Sequence, residues 1–230
     1  MKQKRLKLFI IQFAFGMVLS AQTVDFSISF TAFYNNDSLK LSEPVSKLDS
    51  SLSITMFKFY LSNFRFFMKE VQVFEEARSH HLIDFSSSSV NKLSFEIPSG
   101  LVFDKIQFHL GVDSVCNVSG VQGGDLDPTQ GMYWAWQSGY INLKLEGNSL
   151  RCDTRKNKFQ FHLGGYQYPF ETLQTLSFPI ENIETLAIII DLNKLVDGID
   201  ISNLNEVMSP SVPAQRLSEL AKKTFYINAK

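Results

Sequence analysis

From residue 23 to about residue 192 the chain returns to one rhythm: apolar side chains at every second position. Successive side chains of a strand point to opposite faces, so a period of two marks a strand with one buried face. In "VDFSISFTAFY", Phe26, Ile28 and Phe30 alternate against Asp25, Ser27 and Ser29. In "SITMFKFYLSNFRFFMKEV", Phe57, Phe59 and Leu61 share a face, and then Phe64, Phe66 and Met68 do. The phase slips by one residue at Ser62–Asn63, as a β-bulge requires. "HHLIDF", "KLSFEI", "KIQFHLGV", "YINLKLEG", "KFQFHLGG" and "TLAIIIDL" follow, parted by turn clusters such as "PSG" and "SGVQGGDLDP". Short strands at this spacing, without long alternating helices, give an all-β fold, an antiparallel β-sandwich. The tail changes period. "SPSVPAQRLSELAKKTF" offers Ser209 and Ser211 as N-caps and Pro213 in a first turn, with Ala214, Leu217, Leu220 and Ala221 at helical spacing. A C-terminal α-helix packed on the sandwich is expected.

The first 21 residues have another character. Lys2, Lys4, Arg5 and Lys7 form a basic head, an apolar run from Leu8 to Ser20 follows, and "AQT" supplies small and polar residues. This is the pattern of an export signal, and the run falls short of the roughly 20 residues a membrane helix needs. Residues 1–21 are therefore expected to be a signal peptide and 22–230 a single domain, periplasmic or at the cell surface, with no transmembrane anchor after cleavage. The net charge of −1 argues against a nucleic-acid partner, which calls for a concentrated basic face. The chain's two cysteines, Cys116 and Cys152, read in an exported protein as a disulfide across the aromatic stretch 131–147. A thiolate metal site is the weaker alternative, since no C-x-x-C spacing is present.

Chemistry-bearing residues are few. Neither G-x-S-x-G nor H-E-x-x-H occurs, so an enzyme is not expected. Asp125 and Asp127 in "GGDLDP" could donate oxygens to calcium, but further spaced acidic ligands are missing and a solvated turn fits better. His109 shares the polar face of its strand with Lys105 and Gln107. His162 opposes Phe159, Phe161 and Leu163 and precedes a double glycine, which places it near a sheet rim. His81 shares a face with Ile83 and Phe85. In "GMYWAWQSGY", Met132, Trp134 and Trp136 fall on one face, and paired large aromatics on a strand face usually form core.

Taken in order, "FYLSNFRFF", "HLIDF", "IPSGLVFDKIQFHLGVDSVCNV", "DLDPTQGMYWAWQSGYINLKLEG", "FQFHLGG" and "MSPSVPAQRLSELA" resemble the MbnP-like copper-binding protein family over roughly residues 24–225. The resemblance implies an exported β-sandwich. It also implies, in some members, a copper site of two histidines and a tryptophan oxidised to kynurenine by a partner di-haem cytochrome c peroxidase. Carried over by position, the histidine of H-L-G matches His162. The histidine before the L-[IL]-D-F strand matches His81, with His80 beside it as the alternative. Imidazole suits copper. The chain departs from the family in two places: Val118 stands where many members have a histidine, and "KEVQVFEEARSH" lacks the tryptophan of copper-binding members. Two functions follow as expectations. One is a copper-binding or copper-handling envelope protein with His81 and His162 as ligands. The other is a metal-free interaction module that keeps the fold and has lost the site.

Overall fold

One long strand organises the molecule. The computed structural model describes residues 22–45, 51–77, 79–86, 88, 90–137, 139–180 and 185–227, and the expected signal peptide lies outside them. The strands in chain order are β1 (Thr23–Tyr34), β2 (Asp37–Ser38), β3 (Leu52–Met68), β4 (Val71–Glu75), β5 (His80–Asp84), β6 (Val90–Pro98) and β7 (Lys105–Leu110). Then come β8 (Tyr133–Trp134), β9 (Gly139–Ser149), β10 (Lys158–Gly164), β11 (Gln174–Pro179), β12 (Thr185–Asp191), β13 (Glu206–Val207) and β14 (Phe225–Ile227). The helices are α1 (Ser114–Val118), α2 (Leu192–Val196) and α3 (Val212–Lys222). Among the described residues, no helix is long and apolar enough to cross a membrane.

β3 has neighbours along both edges. Lys58 pairs with Asp84 of β5 and Lys144 of β9, whereas Ser62 pairs with His80 of β5 and His109 of β7. A strand has two edges, so β9 and β7 succeed one another along one edge, and β5 and β4 occupy the other. The expected bulge lies where β9 gives way to β7. There the register shifts and Asn63 takes a left-handed φ of 55°, which asparagine tolerates better than most residues. Its first two residues are hydrogen-bonded: the Ser62 hydroxyl donates to the Gly111 carbonyl at 2.7 Å, and the Asn63 N–H donates to the Ser79 carbonyl at 3.0 Å.

The second sheet is built on β1, which pairs with β12 on one edge and β6 on the other; β14 extends it beyond β12. β1 and β12 run parallel, as do β10 and β13, so the sheets of this β-sandwich are mixed rather than antiparallel throughout. Alternation reports which face is buried and is blind to strand direction. Between the sheets the phenylalanines interlock. Phe26 meets Phe66 edge-on at 5.5 Å and Phe30 meets Phe59 at 6.5 Å, arrangements the ring quadrupole favours. A second, smaller cluster of Tyr60, Val112, Cys116, Leu126, Met132, Trp134 and Tyr140 is also buried. Tyr60 lies between Phe59 and Leu61, so this cluster sits on the outer face of the β3 sheet, under the segment 112–137. α3 closes the chain as expected: Ser211 caps it by accepting from the Ala214 N–H at 3.3 Å, and Ala214, Leu217 and Ala221 face inward.

Candidate metal centre

His80 and His81 are neighbours in β5 and therefore face opposite ways. His81 turns to the main core, its ring edge-on to Phe64 and Phe95 at 5.6 Å each, with Nε2 at 2.9 and 3.0 Å from the two Glu76 oxygens. His162 belongs to the outer face, in one cross-strand row with Lys144, Lys58 and Asp84. It is 5% exposed, and its Nε2 lies 2.7 Å from Glu146 Oε1. Burial holds the His162 imidazole below its usual pKa, against the opposing pull of Glu146. Three strand spacings and three residues separate His81 from His162. At about 4.8 Å per strand and about 3.4 Å per residue, that puts them roughly 17 Å apart, on opposite faces. A copper ion needs its imidazole nitrogens at about 2 Å, so this pair does not form one site. The match to family positions said nothing of the two intervening strands or of facing.

The expected disulfide is not formed. Cys116 and Cys152 are both free and buried in different clusters: Cys116 in the outer one, Cys152 in the main core. Gln122 Nε2 donates to Cys116 Sγ at 3.2 Å, and the Cys152 thiol points to the Ile201 carbonyl at 3.7 Å. Burial raises both thiol pKa values, that of Cys116 to about 11, which suits inert thiols rather than thiolate ligands. The tryptophans also part: Trp134 is 5% exposed and Trp136 is 67% exposed. β8 ends at Trp134 and the chain turns, so the alternation never reaches Trp136. Asp125 ties the loop to β5, and Asp127 serves the loop itself. Asp125 Oδ2 accepts from the Leu82 N–H at 2.8 Å, and Asp127 Oδ1 accepts from the Thr129 N–H at 2.8 Å.

The histidines that the structure does gather are His80 and His109. Both pair with Ser62, one across each edge of β3, so all three side chains share the outer face. Asp113, the N-cap of α1, reaches between them: its Oδ1 accepts from the Cys116 N–H at 2.9 Å, and its Oδ2 lies 3.3 Å from His80 Nε2. Burial would push the Asp113 carboxyl up, but the Cys116 N–H and His80 outweigh it and hold the carboxyl below its usual range. On the far side, Arg65 Nη2 is 3.1 Å from His109 Nε2, and the Asn63 amide is 3.1 Å from His109 Nδ1 and 3.4 Å from Asp113 Oδ2. Burial, then the Arg65 charge, keep His109 neutral. A guanidinium can only donate, so Nε2 accepts and Nδ1 carries the ring proton. That proton needs an acceptor, which assigns the Asn63 amide oxygen, not its nitrogen, to this position. The amide oxygen then lies 3.4 Å from Asp113 Oδ2, the same carboxylate oxygen that His80 Nε2 approaches.

A cation held there would relieve that contact. Among the described residues, no three His, Cys, Asp or Glu side chains converge on one point; here the His80 imidazole and the Asn63 amide each approach Asp113 Oδ2. This N/O donor set fits Cu(II) better than Cu(I), which prefers sulfur. A cavity of about 570 Å³, lined by His80, His81, Gln122, Asp125 and Leu126, opens beside His80. Sequence reasoning found His80 as the alternative to His81 but missed Asp113 and Asn63. The signals were present: Asp113 lies in the departing "GVDSVCNV", and Asn63 marks the phase slip.

The fold has a solved counterpart. MbnP from Methylosinus trichosporium matches with a TM-score of 0.59 over 83% of this chain and 82% of that one, at 13% identity, a likeness of fold. No curated protein sequence matches the chain. The sequence profile of the MbnP family matches residues 23–209, from the first strand to the segment before the last helix, and so covers every strand but β14, together with Asn63, His80 and Asp113. On that match, the chain belongs to the MbnP family.

Proposed function

We propose that this is an exported envelope protein that binds copper as Cu(II) at the rim of the β3 sheet, through His80 Nε2, the Asp113 carboxylate and the Asn63 amide oxygen. One observation carries the reading: His80 Nε2 at 3.3 Å and the Asn63 amide at 3.4 Å both approach Asp113 Oδ2, and with the His109 proton on Nδ1 the Asn63 oxygen turns toward that carboxylate, a contact a cation would relieve. Membership of a family with copper-binding members supports the choice of metal, and the basic and apolar N-terminus supports export. The protein acts as a binder rather than an enzyme, and a di-haem cytochrome c peroxidase of the same system is the partner the resemblance implies. Calorimetric titration with Cu(II) tests the site. His80→Ala and Asp113→Ala each lower affinity at least tenfold, while His81→Ala and His162→Ala leave it unchanged; the reverse pattern refutes the assignment.

A second reading, the metal-free module, is favoured by the Glu76 and Glu146 contacts, which engage the ligand nitrogens of His81 and His162 in hydrogen bonds. Wild-type protein that binds no more Cu(II) than the His80→Ala variant establishes it.

A further inference from the structure

We propose a second binding site, for a neutral sugar ring, in the cleft between the turn joining β8 to β9 and the loop that follows β10. The cleft holds about 290 Å³ and is walled by Trp134, Gln137, Tyr166, Tyr168, Phe170 and Pro210. Its volume lies at the lower end of small-molecule sites, enough for one ring and its substituents, and short of the trough an extended peptide needs. No Asp, Glu, Lys or Arg lines it, so its complement is uncharged. Aromatic rings supply flat apolar walls, while two tyrosine hydroxyls and the Gln137 and Gln167 amides supply hydrogen-bonding groups. A pyranose matches both, with C–H faces for the rings and hydroxyls that donate and accept.

Trp134 forms the back wall: its ring is buried against the cleft and offers a flat aromatic face. Among the described residues its indole N–H, out of reach of solvent, has no hydrogen-bond partner. The double glycine after His162 is what closes this wall. A Cβ on Gly164 would meet the Trp134 ring at 2.7 Å, and Gly165 has a φ of 142° with its Cβ position 2.1 Å from the Phe170 carbonyl. At the mouth, Tyr168 is 89% exposed, and the exposed Trp136 ring lies 5.9 Å from that of Trp134.

Of the chain's two tryptophans, Trp134 lines the cleft and Trp136 lies beside it, so tryptophan emission, excited selectively over the tyrosines, reports from this region. Full-length mature protein is titrated with the methyl glycosides of glucose, galactose and mannose, with N-acetylglucosamine, and with a proline-rich decapeptide as the contrasting probe. At least one saccharide should give a saturable emission change. By calorimetry, Tyr168→Ala, at a position too exposed to disturb the fold, weakens that saccharide at least tenfold, Trp134→Phe weakens it at least fivefold, and His80→Ala leaves it unchanged. The proposal is overturned if no saccharide saturates, if only the peptide does, or if saccharide binding survives both cleft variants intact.

Discussion

His162 and Glu146 make the protein's stability depend on pH in one direction. Unfolded, His162 takes a proton near its ordinary 6.5; folded, burial delays protonation to lower pH. The unfolded chain therefore holds more protons through that interval, and stability falls as the pH drops. Glu146 adds to the fall. Burial would raise its pKa, but hydrogen bonds from His162 and Lys158 lower it from 4.5, and the stability it contributes above that value is lost as the pH passes down through the folded value. Lys144 and Lys158 are the other charged groups facing the pair. The midpoint of thermal unfolding should decline from about pH 7 to about pH 4, and His162→Gln should flatten the upper part alone. Circular dichroism melts across a buffer series check both. Cys116 and Cys152 give a second residue-level expectation. Without reductant, the native protein should resist thiol reagents and the denatured protein should react at both cysteines. A linked peptide pair in non-reducing mass mapping would contradict the free thiols.

Among the elements, the bulge of β3 depends on the residue that accepts a left-handed backbone. Asn63→Val should destabilise by about 1–2 kcal/mol more than Asn63→Gly, because a β-branched side chain resists that conformation and glycine does not; urea denaturation of the two variants measures the difference. For α3, Ser211→Ala should cost about 1 kcal/mol and Ser209→Ala close to nothing, since the Ser211 hydroxyl alone receives the Ala214 N–H. The bulge and this helix were both legible in the sequence because each is a local pattern. β11 was not, since "QTLSFP" shows too short an alternation to stand out. The candidate site was legible only in pieces: His80 came from the family match, whereas Asp113 and Asn63 join it through pairings of β3 with two strands distant in sequence. Parity along β5 also decides between His80 and His81, and no motif reports which of two adjacent residues faces out.

At the scale of the whole molecule, the sandwich depends on a few rings that tie its sheets together. Phe59 of β3 packs against Phe30 of β1 and, edge-on at 5.4 Å, against Phe225 of β14. Phe59→Ala should therefore destabilise by about 3–5 kcal/mol and lower cooperativity across both sheets, which chemical denaturation followed by fluorescence would show. The partnership of β1 and β12 has a further consequence, one of timing. Ser27 and Thr185 lie side by side in the folded protein and 158 residues apart in the chain. The first strand to be synthesised is thus among the last to be completed, and contacts of such long span make folding slow. If the chain is exported N-terminus first, as proposed above, Phe26, Ile28 and Phe30 emerge on a strand with one bare edge. They stay in that state until β12 arrives. An open apolar edge invites pairing with a neighbouring chain, so the interval between the emergence of β1 and of β12 is when this protein most needs a holding chaperone.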